Sequence, residues 1–315
     1  METDVVVIGT GQAAVPLATA LVKQGKKVVV VERGAPGGTC VNSGCTPTKT
    51  MIASAQAAHI ARASGTLGVR AAGVTVDFGA VVDRKNAMVA RWRHGIERRL
   101  SEAGERLTLI RGQAQFVGDR TIEVGGQRIR GEIVVINTGA RARTPAIAGL
   151  NLVPWLDYTG LLEVRQLPRH LVVVGGGYIG CEFAQMFRRF GAAVTVIGRA
   201  AHLLPKEDDE FGQALEDVFS AEGIELRLAA RIERVASAVS QGKGGGDDIS
   251  VALQGGDVVH GSHLLIATGR QPNTDDLGCQ AAGINLDDDG HIIVDDDYRT
   301  SALGVFAVGD VVHGP

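Results

Sequence analysis

Cys40 and Cys45 stand in the stretch GGTCVNSGCTPTKTM with four residues between them, close enough to close a small disulfide ring where the backbone permits. Pro47 opens what reads as a helix through about Arg62. A thiol just before a helix N-terminus meets the positive end of the dipole, which favours thiolate, and Lys49 lies one turn further on. The chemistry on offer is dithiol–disulfide exchange. Three plainer readings stand beside it: two unpaired buried cysteines, half of a zinc site, or a structural disulfide. A zinc site needs two more ligands, and Cys181 and Cys279 lie in distant segments without a CxxC partner, so no metal-ligand set is read. In a reducing compartment a disulfide is usually catalytic rather than structural.

The second chemical signal is a repeated glycine turn. The segment DVVVIGTGQAAVPLATALVKQGKKVVVVE reads as a strand (Val5 to Ile8), a turn (Gly9-Thr10-Gly11), a helix (Gln12 to Lys23) and a strand (Val28 to Val31) ended by Glu32. The pattern returns in HLVVVGGGYIGCEFAQMFRRFGAAVTVIGR, with Leu171 to Val174 as strand, Gly175-Gly176-Gly177 as turn and Tyr178 to Phe190 as helix. Such glycines permit a tight turn and let backbone approach a pyrophosphate at a helix N-terminus. Ala14 and Gly180 fill the third position of the two copies. One copy alone could be an ordinary turn between core elements. Two copies, 166 residues apart, place one dinucleotide fold in each of two domains.

The position 23 residues beyond the first glycine separates the copies. In the first it is Glu32, a carboxylate able to accept from an adenosine ribose; in the second it is Gly198, followed by Arg199. A ribose 2′-phosphate is repelled by an acid and held by a guanidinium. The first copy therefore suits FAD or NAD, and the second NADPH, with Arg199 as a solvated surface charge the plain alternative. His202 and Lys206 could add positive charge, against the acidic run Glu207 to Glu210.

The rest of the chain must position these groups. Its 315 residues suffice for two domains, and 45% hydrophobic with 21% charged residues is a globular balance. A net charge of -3 and 13 aromatic residues argue against a nucleic-acid partner. No run reaches the roughly 20 apolar residues of a membrane span, and the acidic start METD does not read as a secretory signal, so the cytoplasm is expected. Residues 78 to 103 read as an amphipathic helix with a solvated basic face, and LTLI, AQFV, TIEV and IVVIN as a meander up to Asn137. SQGKGGGDD, residues 240–248, reads as a hairpin loop, and Cys181 and Cys279 as core or surface thiols.

Taken in order, GTGQAA, GGTCVNSGCTPTK, NTGARARTP, VVVGGGYIGCE, LIATGRQPN and VFAVGD resemble the class I pyridine nucleotide–disulfide oxidoreductases. That family includes dihydrolipoamide dehydrogenase, glutathione reductase and mercuric reductase; the cysteine motif and Gly198-Arg199 look most like mercuric reductase. The resemblance implies an α/β chain of two Rossmann-like three-layer dinucleotide-binding domains: a discontinuous FAD domain over 1–145 and 271–315, with an NADPH domain inserted over 146–270. It implies that Cys45 faces the flavin while Cys40, the exposed thiol, meets substrate. Lys49 is expected by the flavin in a buried ion pair with Glu182, and Tyr178 over the nicotinamide pocket. FAD is expected on Gly9, Gly11, Ala14, Glu32, Thr39, Ala114, Thr138, Gly139 and Asp310, and NADPH, rather than NADH, on Gly175, Gly177, Gly180, Arg199 and Gly269.

The implied reaction passes hydride from NADPH through FAD to the Cys40–Cys45 disulfide and on to Hg(II) or a small disulfide such as a dihydrolipoamide or glutathione type. Thioredoxin reductases carry CxxC in the NADPH domain, whereas here CxxxxC lies in the FAD domain. In the family the point reached at GDVVHGP leads into a helix aimed at the flavin and then an interface domain, which makes the homodimer and supplies a His–Glu pair. Those parts are not in these 315 residues. The expectation is weakened FAD binding, an exposed apolar face and poor turnover, the second reading being a nucleotide-holding module or diaphorase-like flavoprotein.

Overall fold

The computed structural model describes residues 1–238 and 248–313, so the loop read at 240–248 lies outside the described residues apart from Asp248, which opens a strand. The chain divides into two compact units. The first comprises Met1–Thr46, Ala87–Arg141 and the segment from Arg270 onward; the second comprises Pro47–Asn86 and Ala142–Gly269.

In the first unit a sheet runs in the order Leu107–Arg111, Val28–Glu32, Glu2–Ile8, Gln127–Ile136, Thr121–Val124, Gln115–Gly118, with Val305–Ala307 also paired to Gln127–Ile136. Uninterrupted valine and isoleucine make strands covered on both faces: Val28 to Val31 are each 1% exposed, which rules out a half-solvated sheet. Glu2–Ile8 pairs in parallel with both neighbours, Val5 opposite Val28 on one side and Ile133 on the other. LTLI does not join a meander. Leu107–Arg111 extends the parallel sheet beside Val28–Glu32, because the long helical excursion between them is a crossover, and only 115–136 runs antiparallel.

The second unit carries the second parallel sheet: Glu225–Arg227, Ala193–Ile197, His170–Val174, His263–Ile266, Trp155–Leu156. An antiparallel sheet of Ile232–Ala238, Asp248–Leu253 and Val258–Gly261 accompanies it. The helix Tyr178–Phe190 lays Phe183, Phe187 and Phe190 into the core and stops at Gly191, whose φ of +119° suits only glycine. Phe78 meets Phe190 edge-on at 5.4 Å and Phe187 at 5.8 Å. With Met51, Ala55 and Val82 it draws residues 47–86 into this core, at roughly 1.5–3 kcal/mol per buried large side chain. The compact units therefore do not follow the 1–145 boundary. Lys85, 1% exposed, is satisfied there by the Leu162 carbonyl at 2.8 Å and Glu163 at 2.7 Å. No helix among the described residues is long and apolar enough to cross a membrane.

Candidate active site and nucleotide turns

The first glycine turn leaves the strand Glu2–Ile8 and enters the helix Ala14–Lys23. Gly9 has φ +99°, and a Cβ there would lie 2.4 Å from the Asn137 carbonyl oxygen. A Cβ on Gly11 would lie 2.5 Å from Asn137 Oδ1, and one on Gly38 would lie 2.9 Å from the Gly11 Cα. Three chain segments thus converge where only hydrogen fits. Pro16 falls in the first helical turn, where its missing N–H costs nothing.

Glu32 is buried at the end of its strand. Its carboxylate accepts from the Thr10 N–H at 2.9 Å, from the Thr10 hydroxyl and from the Gly34 N–H at 2.7 Å. Thr10 Oγ1 in turn accepts from Gly37 N–H at 3.1 Å, which ties the turn to the segment leading into the cysteines. Ala114 is buried in the core, its backbone beside the sheet.

Asn137, not singled out from sequence, holds the turn through its Nδ2 on the Val308 carbonyl at 2.7 Å. Asn137 Oδ1, Thr138 Oγ1 and Arg270 Nε are buried without hydrogen-bond partners. Three orphaned polar atoms in one unit are what a polar ligand would satisfy. Asn273 donates to the Thr138 carbonyl at 2.8 Å and Arg141 in turn donates to Asn273. Gly139, with φ +65°, faces open space. Asp310 is held by Arg270 at 2.7 Å. A cavity of about 490 Å³ opens where Thr10, Gly11 and Gln12 face Arg91, Trp92 and Arg99, so part of the basic face read as merely solvated lines the turn. NTG and RQPN were visible as motifs; that their amides close the turn was not.

Thr39 and Cys40 sit in the short helix Gly38–Asn42, and Cys45 is the first residue of the helix Cys45–Ala63 rather than the residue before it. The pair is present as free thiols within hydrogen-bond reach of each other. Exposure runs opposite to expectation in this chain: Cys45 is exposed and Cys40 half-buried. Burial, then the hydrogen bond and charge of Cys45, push the Cys40 thiol up to about 11. An acid with a raised value keeps its proton below that pH. In the reduced chain, Cys40 should therefore react with iodoacetamide on the order of 100-fold more slowly than an open cysteine at pH 8. Its rate should climb about tenfold per pH unit to near pH 11, and peptide mapping that finds a plateau by pH 9 would contradict it.

Lys49 and Glu182 form the expected ion pair, but their side chains are 59% and 37% exposed, so the pair is not buried: both sit at an open surface of the second unit. Tyr178 is exposed and its hydroxyl donates to Glu207, which raises its pKa through that bond. Burial pushes Cys181 up to about 12 and Cys279 to about 11, so both are inert core thiols.

In the second turn Gly175 has φ +123° and lacks room for a Cβ beside the Ala267 carbonyl, at 2.3 Å. Gly180 would place a Cβ 1.9 Å from the Gly175 carbonyl, whereas Gly177 faces open space and caps its helix with no side chain. The first-turn N–H groups are therefore uncapped by any side chain, as an anion site requires. Gly269 has φ +134° and open space around it. Arg199 is exposed just beyond Ala193–Ile197. His202 is taken by Glu216 at 3.2 Å, and Glu207 to Glu210 lead into the helix Asp209–Ala221, whose N-terminus their charge favours.

The sequence profile of the pyridine nucleotide-disulphide oxidoreductases matches residues 3–315. The chain belongs to this family. As a pyridine nucleotide-disulphide oxidoreductase it is 35% identical to a mercuric reductase of Lysinibacillus sphaericus over 99% of its length and 56% of the relative's. It is 36% identical to a probable pyridine nucleotide-disulfide oxidoreductase, RclA, of Escherichia coli strain K12, over 98% of this chain and 66% of that one. A solved structure titled as a Cu(II) complex of the HOCl-induced flavoprotein disulfide reductase RclA from Escherichia coli superimposes with TM-score 0.88 at 34% identity, covering all of this chain and 67% of the other. The chain spans about half to two thirds of the length of the mercuric reductases it matches. Family and neighbours agree with an α/β chain of two Rossmann-like nucleotide-binding folds.

Proposed function

We propose that this chain is the nucleotide-binding and dithiol part of an FAD- and NADPH-dependent oxidoreductase acting on Hg(II) or a small disulfide. The observation that carries the reading is the Cys40–Cys45 pair at the start of a helix, in the same compact unit as a glycine turn flanked by orphaned polar atoms. FAD, when bound, supplies a two-electron relay between a nicotinamide and a disulfide. Glu32 would hold its adenosine ribose and the turn Gly9 to Ala14 its pyrophosphate, with Ala114, Thr39, Thr138, Gly139 and Asp310 along the remainder. Asn137 Oδ1 and Thr138 Oγ1 are the acceptor and hydroxyl that such a ligand would pair. NADPH would lie over Gly175, Gly177, Gly180 and Gly269, with Arg199 on its 2′-phosphate. Lys49 and Glu182 set charge beside the helix of Cys45, and Tyr178, tethered to Glu207, would swing clear of the nicotinamide. The partners would be a second copy of the chain and a small-molecule substrate, in the cytoplasm.

The dithiol has a definite need. Cys40 keeps its proton at neutral pH, so its attack on a substrate requires a base to take that proton, an effect worth about 10²–10⁴-fold. Counting thiols tests the reading. Anaerobic NADPH added to the oxidised, FAD-loaded chain should yield two new titratable thiols, and none in Cys40→Ser or Cys45→Ser. If FAD binds and no thiols appear in the unmutated chain, the nucleotide-holding module is the correct function.

A further inference from the structure

We propose that Asp287, His291 and His313, in the first unit, form a binding site for a divalent transition-metal ion of the zinc type. Each offers one ligand atom, and these atoms all lie within 4.8 Å of one another. Asp287 Oδ2 and His291 Nδ1 are 3.4 Å apart. That is about the edge of a tetrahedral shell with metal–ligand bonds of roughly 2.0–2.1 Å, so these two donors stand at ligating separation already.

The backbone fixes the carboxylate for the purpose. Asp287 Oδ1 accepts from the N–H groups of Asp289 at 3.0 Å and His291 at 2.8 Å, leaving Oδ2 turned to the imidazole. The turn is closed by the Asp287 N–H on the His291 carbonyl at 2.9 Å and by Gly290, with φ +87°, on the Asp287 carbonyl at 3.0 Å. Oriented outer contacts of this kind are what hold a ligand ready. The second observation is that His291 Nδ1 is buried and makes no hydrogen bond, its polar neighbour being Asp287 Oδ2 at 3.4 Å. A buried imidazole nitrogen and a carboxylate oxygen at this separation, with no hydrogen bond made by the nitrogen, are two donors that a cation between them would satisfy. The third ligand comes from elsewhere in the chain. Ile292 N–H donates to the Val311 carbonyl at 3.0 Å, and this pairing brings the His291 and His313 rings to 5.4 Å, nearly perpendicular.

Two imidazoles and one carboxylate suit zinc, cobalt or copper, whereas calcium and magnesium demand an oxygen shell. Three protein ligands with His313 exposed leave a fourth position to water. The sequence shows only the Asp287–His291 spacing, since the isolated bridge between Ile292 and Val312 supplies His313.

The test uses the full chain carrying Cys40→Ser and Cys45→Ser, so that the dithiol cannot take the metal. Titration with ZnCl2 at pH 7.5 should find one ion per chain, and Co(II) should give the visible bands of a four- or five-coordinate site. His291→Gln, His313→Gln and Asp287→Asn should each weaken zinc at least about tenfold, and MgCl2 should not compete. Lowering the pH to 5.5 should also weaken binding, because imidazole must be neutral to ligate. His313 is exposed, so His313→Gln tests the site without endangering the fold, checked by unchanged melting of the metal-free chain. No zinc bound, or zinc bound equally well by His313→Gln and His291→Gln, would overturn the proposal.

Discussion

Gly180→Ala should destabilise the second unit by about 3 kcal/mol or more, at the upper end of overpacking costs. The new Cβ would stand 1.9 Å from the Gly175 carbonyl oxygen and 3.0 Å from its carbon. Both are backbone atoms, so no rotamer change relieves the clash. Gly175 cannot retreat, because its own missing Cβ already lets it lie against the Ala267 carbonyl. The helix Tyr178–Phe190 must lift from the turn, and its three core phenylalanines lift with it. At 2–4 °C per kcal/mol for a unit of this size, calorimetry should show its melting temperature fall by roughly 10 °C. Gly177→Ala is the matched control. Its φ of -82° suits any residue and no atom lies within 4 Å of the new methyl, so stability should stay within about 0.5 kcal/mol. Equal melting of the Gly180→Ala and unmutated chains would mean the helix does not sit this close to the turn.

Glu32→Ala should be nearly as damaging in the first unit. The carboxylate is the acceptor for two backbone N–H groups and one hydroxyl; Thr10 is 1% exposed, so its N–H and hydroxyl are left buried, whereas the exposed Gly34 can turn to water. Each orphaned buried donor costs about 1–3 kcal/mol. The loss also frees Thr10 Oγ1, the acceptor for Gly37 N–H. Glu32→Gln should fall between, since one amide oxygen can serve Thr10 or Gly34 but not both. Under the proposed function Glu32→Ala should also purify without FAD. Wild-type melting together with full FAD content would sink both the network and its role.

The nucleotide turns were the most legible part of the chain. Runs such as VVVI and VVVVE cannot be half-solvated strands, and a glycine turn between each strand and helix leaves little choice of fold. The helix Tyr178–Phe190 was readable to the residue, because Gly177 and Gly191 bracket it. What was not legible depends on which distant surfaces meet. The period of the helices in 47–101 shows an apolar face but not that Phe78 is bound for Phe187. Strand direction is likewise absent from a run like LTLI; the crossover before it decides. At the candidate site, motif order singled out Cys40, Cys45, Lys49 and Glu182 and anticipated the Lys49–Glu182 pair, but not the exposure of these side chains, which depends on how distant segments pack. Asn137 escaped notice because an amide's value here lies in closing a turn.

The packing of Phe78 against Phe187 and Phe190 bears on how the chain is made. A ribosome delivers Phe78 about a hundred residues before its partners. At roughly 5–20 residues per second, the apolar face of residues 47–86 must wait on the order of ten seconds for the core it joins. The first unit waits longer still, since Val305–Ala307 must pair with Gln127–Ile136. Neither unit can be completed before the other has begun, so synthesis of this chain passes through an intermediate with two unfinished cores, the stage at which chaperones would have most to do.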